Sequence, residues 1–113
     1  MKRFAILLLL ILSLCACGSG ASVKFKNQSN HELQSVEISG SGFKASLRDI
    51  APGQSRTVKV YPSGESALSV SFVTNGQSYR SEPQGYFEGG GMYKVSVVVS
   101  RDLTVLVDTS IWP

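Results

Sequence analysis

Apolar and polar residues alternate with a period of two over most of this 113-residue chain. That period belongs to strands with one buried face. Val23 and Phe25 alternate with Lys24 and Lys26. Val36 and Ile38 alternate with Ser35, Glu37 and Ser39. Phe43, Ala45 and Leu47 alternate with Lys44, Ser46 and Arg48, and Val58 and Val60 with Thr57, Lys59 and Tyr61. Leu68, Val70 and Phe72 enclose Ser69 and Ser71. Tyr93, Val95, Val97 and Val99 form the longest run, and Leu103, Val105 and Val107 the last. Each run buries one face and wets the other, as antiparallel sheets commonly do. No stretch beyond residue 17 places apolar residues at helical spacing.

The breaks between runs carry turn chemistry. Asn75-Gly76 separates two strand-like runs and fits a two-residue type I′ hairpin, whose central positions both need positive φ. Pro52-Gly53 fits a type II turn, with Pro fixing one φ and Gly taking the positive one. Pro62-Ser63-Gly64 interrupts the chain again, Asn27-Gln28-Ser29-Asn30 is a polar turn, and Arg101-Asp102 joins the last two runs closely enough for a hairpin. Seven or eight short strands predict an all-β chain, an antiparallel β-sandwich of immunoglobulin-like or prealbumin-like type. A small closed barrel is the alternative. The Cys…Trp…Cys core of antibody domains is absent, so the expectation concerns architecture alone.

The N-terminus follows a different pattern. Met1-Lys2-Arg3 is a short basic head, residues 4–14 are apolar, and small residues follow. This is the layout of a secretory signal segment. The apolar stretch 4–16 is shorter than the ~20 residues a membrane-spanning helix needs, and Gly18-Ser19-Gly20 ends any helix there. Leu14-Cys15-Ala16-Cys17 resembles the lipobox of bacterial lipoproteins, with Cys15 at a position where Ala, Ser or Thr is usual. The resemblance implies removal of residues 1–16 and acylation of Cys17 on sulfur and amine. Residues 17–22 are then a lipidated tether, and 23–113 a single sandwich domain. In a bacterium with two membranes, the absence of Asp after Cys17 implies the outer membrane, facing the periplasm. Further on, Leu47-x-x-Ile50-Ala51-Pro52-Gly53-Gln54-Ser55 resembles the strand–turn–strand entry of bacterial Ig-like envelope modules.

Processing changes the charge balance. Loss of Lys2 and Arg3 from 11 basic residues leaves nine, against 8 acidic ones. No basic run survives, so the electrostatic footprint of a nucleic-acid binder is missing. Cys17 is then the only cysteine, which leaves no intramolecular disulfide and makes an apolar core responsible for the fold.

Candidate chemistry is sparse. His31 is the only histidine. Ser29 and Ser35 are near it in sequence, but neighbours on a strand point to opposite faces and no Gly-x-Ser-x-Gly elbow is present. The expectation for His31 is a solvated turn residue, and for the chain no enzyme activity, cofactor or small-molecule substrate. One histidine and singly spread carboxylates make no metal site, and no EF-hand loop pattern appears.

Residues 79–93 are the unusual segment, holding three of the 4 tyrosines with Phe87, Met92 and a triple glycine. One reading makes it a long connection, with Tyr86 and Phe87 capping the sandwich. Tyr93 then opens the next strand as a core plug, its hydroxyl tied to backbone as in a tyrosine corner. The other makes Tyr79, Tyr86, Phe87 and Glu88 a contact surface, since aromatics are enriched at interface centres. Lys24 and Lys26 read as guards of an exposed sheet edge. The sequence thus predicts a non-enzymatic binding or accessory module. It is attached to a membrane through Cys17 and recognises a protein or an envelope polymer through this segment or a sheet edge. A lipoprotein inhibitor of a hydrolase, with Glu88 as its tip, is the second expectation.

Overall fold

The computed structural model describes residues 20–111; Cys17 and the signal segment lie outside them. Nine strands fill this stretch: β1 (Ala21–Asn27), β2 (Leu33–Gly40), β3 (Phe43–Ile50), β4 (Ser55–Val60), β5 (Glu65–Thr74), β6 (Gln77–Arg80), β7 (Gln84–Glu88), β8 (Tyr93–Val99) and β9 (Val105–Ile111). They form the expected β-sandwich. The first sheet has the order β4-β1-β8-β9. The second has the order β3-β2-β5-β6, with β7 also paired to β5. Every pair is antiparallel except β1–β8 at the middle of the first sheet. The strand begins at Ala21, two residues before the expected boundary, because Ala21 pairs with Val60 and is itself buried.

The inward phases of the runs make one core. Phe25, Phe87, Leu33, Ile38, Ile50 and Leu68 are its largest fully buried side chains. Each contributes about 1.5–3 kcal/mol by leaving water. The turn chemistry holds as well. Asn75 and Gly76 have φ of 51° and 73°, and Gly53 has φ of 79°. The Gln54 amide donates to the Ala51 carbonyl at 3.0 Å, which closes the Pro52-Gly53 turn.

Strict alternation fails in three places. Leu33 and Val36 are both buried although three apart. A bulge at Ser35 (φ 50°) and Arg48 (φ 61°) re-phases β2 against β3, and the Asp49 carboxylate accepts from the Ser35 amide at 2.9 Å. Leu103 is not in a strand. It occupies the left-handed position of the β8–β9 hairpin, with φ of 66°. β7 lies inside the expected connection 79–93, and of its own residues only Phe87 is buried.

Two polar side chains hold the layers together. Asn27 is fully buried and all its groups are used. Its Nδ2 donates to the carbonyls of His31 (2.8 Å) and Ile50 (3.0 Å), and its Oδ1 accepts from the Ser29 amide (2.9 Å) and hydroxyl (2.6 Å). It therefore joins the end of β1 to the entry of β2 and the end of β3. Gln84 bridges the sheets from β7. Its side-chain amide donates to the Val105 carbonyl (3.0 Å) and accepts from the Val107 amide (3.3 Å), standing in for a neighbouring strand along β9. Gly85 lets β7 come this close, because a Cβ there would stand 3.1 Å from both Val107 and Thr109.

Candidate functional site

The four residues expected to form a contact surface do not converge. Phe87 is fully buried beside Phe43, ring centroids 6.0 Å apart, so its side chain belongs to the core and not to a contact. Tyr79 turns inward and stacks on its cross-strand partner Phe72 at 5.2 Å. Tyr86 stays outside. Its hydroxyl lies 3.2 Å from the Glu88 carboxylate and 3.4 Å from that of Glu65. Partial desolvation, the bond to Glu88 and the two negative charges push the phenol up to about 12. Glu88 is half-buried in β7, opposite Glu65, and not at the tip of a loop. Tyr93 takes the inward phase and packs against the core, half-buried. Among the described residues its hydroxyl makes no hydrogen bond to backbone, so the tyrosine-corner expectation is corrected.

Among the described residues His31 makes no side-chain hydrogen bond or ion pair. Its side chain is exposed, while its backbone carbonyl accepts from Asn27 and Ser29. The Ser29 hydroxyl is buried on Asn27 Oδ1.

The expectation for Lys24 and Lys26 is overturned by topology. β1 is not an edge strand; it lies between β4 and β8. The two lysines therefore stand in the middle of the first sheet's outer face. The registers place three rows across that face. Lys59, Ser22, Lys94 and Ser110 form the row nearest the start of β1. Thr57, Lys24, Ser96 and Asp108 form the next, and Ser55, Lys26, Val98 and Leu106 the third. Strands lie ~4.8 Å apart and same-face residues ~6.8 Å apart along a strand, so the twelve positions make a nearly continuous surface. Four are lysines, five are serine or threonine, and one, Asp108 on the edge strand, is a carboxylate. A hollow of about 330 Å³ opens among Ser22, Lys24, Thr57, Lys94, Ser96, Asp108 and Ser110.

Electrostatically the face is one-sided. Among the described residues, Lys24, Lys26 and Lys59 make no hydrogen bond or ion pair. Their stems can lie along the sheet while the ammonium groups stay in water. Like charges at this spacing raise the local positive potential and attract anions. The hydroxyls between them can both donate and accept hydrogen bonds. In the sequence, each lysine was legible as outward, out of phase with the valines around it. Their common surface was not, because β1, β4 and β8 are remote in the chain.

No family model matches this chain, and no curated protein does. Among solved structures it is similar to the NMR structure of a protein from Eubacterium rectale. The TM-score is 0.57 and the identity 14%, over 82% of this chain and 90% of that one. It is also similar to the N-terminal domain of AlgF from P. aeruginosa, with a TM-score of 0.46 and 25% identity over 82% of this chain and 94% of that one. At 14% identity the first likeness is one of fold.

Proposed function

We propose that this chain is a non-enzymatic binding module of a bacterial envelope. It is anchored in the membrane by lipid on Cys17 and holds an anionic envelope polymer on the outer face of its first sheet. The lipobox resemblance of Leu14-Cys15-Ala16-Cys17 supports the anchor. The observation that carries the binding reading is the set of four lysines and five hydroxyl residues on one twelve-position face, with a single carboxylate at its margin. A polymer with repeated negative charges and many hydroxyls is the complementary chemistry. The open outer face of a sheet accepts such a chain without an enclosed pocket. The Ser29 hydroxyl, committed to Asn27, supports a role in binding over one in catalysis. The inhibitor reading loses its tip, since Glu88 is held in β7 against Tyr86.

The test uses the full lipidated protein on neutral vesicles, with carboxymethyl-dextran and uncharged dextran as probes. The charged polymer alone binds, and added salt weakens it. Lys24→Glu combined with Lys26→Glu weakens it at least about tenfold, or ~1.4 kcal/mol. Lys44→Glu on the other sheet changes it less than about twofold. Equal binding of both dextrans, or equal effects of the two sets of variants, overturns the assignment of the face. Membrane association of Cys17→Ser equal to that of the native chain overturns the anchor.

A further inference from the structure

The end of the sandwich at which β1 begins has a composition unlike the rest of the surface. Among the described residues five large hydrophobic side chains are exposed, and four of them, Tyr61 (56%), Tyr86 (49%), Met92 (64%) and Ile111 (65%), are at this end. The registers fix the placement. Val60, which Tyr61 follows, pairs with Ala21 at the start of β1. β8 runs parallel to β1, so its first residue Tyr93, preceded by Met92, lies at the same end and pairs with Ile111. Tyr86 joins Tyr93, Thr109, Ser110 and Ile111 around an open hollow of about 460 Å³. Gly20, the first described residue, is buried, and a Cβ on it would stand 2.9 Å from the Tyr61 ring. The chain therefore enters the domain beside Tyr61. Lys59 and Lys94 form the row of lysines nearest this end.

We infer that this end is a membrane foot. Tyr61, Tyr86, Met92 and Ile111 rest among the lipid headgroups, and Lys59 and Lys94 face anionic phospholipid. The inference rests on the lipid anchor at Cys17 proposed above. From Cys17 to Gly20 there are three residue steps, which span at most ~11 Å. A lipidated Cys17 then keeps Gly20 and Tyr61 within ~11 Å of the acyl-chain boundary, a distance of which the headgroup layer takes up roughly the first 5–8 Å. Aromatic side chains with one apolar and one polar end favour that layer. Lysines within a Debye length of ~10 Å are drawn to a negative leaflet. The occupant fits on reach and apolar character; in charge, the two lysines face it beside two carboxylates, Glu65 and Glu88, that meet at the Tyr86 hydroxyl. Leu106, the fifth exposed large hydrophobic, is in the row farthest from the foot and serves as an internal control.

The decisive experiment lengthens the tether. About 15 Gly and Ser residues inserted after Gly18 free the domain to leave the surface. The full lipidated chain is placed on vesicles of phosphatidylcholine with phosphatidylglycerol, and side-chain oxidation by hydroxyl radicals is read by mass spectrometry. With the native foot, Met92 and Tyr86 are oxidised at least about threefold more slowly than in the same long-tether chain carrying Tyr61→Ser and Ile111→Ser. Leu106 reacts equally in both, which confirms that the fold is retained. Omitting phosphatidylglycerol reduces the protection. Equal rates at Met92 and Tyr86 in a chain that still floats with the vesicles overturn the foot alone. A chain that does not float overturns the anchor, and the foot with it, because the reach argument then fails.

Discussion

The two sheets present outer faces built on the same plan but charged differently. On the second sheet, Lys44, Ser39 and Ser69 form one row, and Ser46, Glu37, Ser71 and Arg80 the next. Serines alternate with charges there as they do on the first sheet. Glu37 sits at the centre, however, and Lys44 reaches it at 3.2 Å. On the first sheet the central positions hold lysines and the one carboxylate, Asp108, lies on the edge strand. Both faces cover the same core and both fold. Alternation alone satisfies the sheet, so the charge imbalance of the first face is not required by folding and is the part open to function.

That comparison presumes a core shared by both faces, and truncating it has the largest expected effect. Phe25 belongs to the first sheet and Phe87 to β7 against the second; both are fully buried. Phe25→Ala and Phe87→Ala each cost about 3–5 kcal/mol in chemical denaturation. The exposed neighbour Tyr86→Ala costs less than ~1 kcal/mol. A loss below ~1 kcal/mol at either phenylalanine would mean that the two sheets do not share one packed interior.

Next in size is the polar link. Asn27→Ala leaves the Ile50 carbonyl and the Ser29 amide without the partner they have now. Unsatisfied buried groups of this kind cost about 1–3 kcal/mol. The thermal transition should stay single and move down. Two separate transitions would show that Asn27 is what makes the sheets melt together, and an unchanged melting point would remove its role altogether.

The smallest effect is the sharpest test of the contrast, because its sign differs between faces. Lys44→Gln breaks the pair with Glu37 and costs about 0.2–1 kcal/mol, as exposed pairs do. Lys24→Gln relieves repulsion among like charges and stabilises by a few tenths, roughly 0.2–0.5 kcal/mol. Added salt shrinks both changes. The same sign at both positions would erase the electrostatic distinction between the faces.

Much of this architecture was legible in the chain. Period-two runs gave seven of the nine strands, and the Asn75-Gly76 turn marked β6. What escaped had physical causes. β7 shows one inward residue, Phe87, between Gly85 and Gly89, so no alternation announces it. Leu33 falls out of phase because a bulge absorbs one residue. Leu103 continues the apparent rhythm of β9 but is recruited by the hairpin, where its side chain still packs on the core. At the candidate site, the outward phase of Lys24, Lys59 and Lys94 was readable from neighbouring valines. Their convergence was not, since it depends on which strands pair. Of the four aromatic rings in the segment 79–93, three, those of Tyr79, Phe87 and Tyr93, pack on the core and only Tyr86 stays outside.

The parallel pairing of β1 with β8 joins Val23 to Val95. For a chain that emerges from its N-terminus, β1 is made long before its partner. At ~5–20 residues per second, roughly 4–15 s of synthesis separate the two. Non-local pairing of this kind also closes slowly, on a scale of milliseconds to seconds. β4 follows about halfway through that interval and can pair with one edge of β1, but the edge that will meet β8 stays open, with Val23 and Phe25 on one face of the strand. Lys24 and Lys26 along the other side keep it hydrated and discourage it from pairing with another nascent chain. The residues that give the finished face its charge thus protect the unfinished sheet while it waits for its centre.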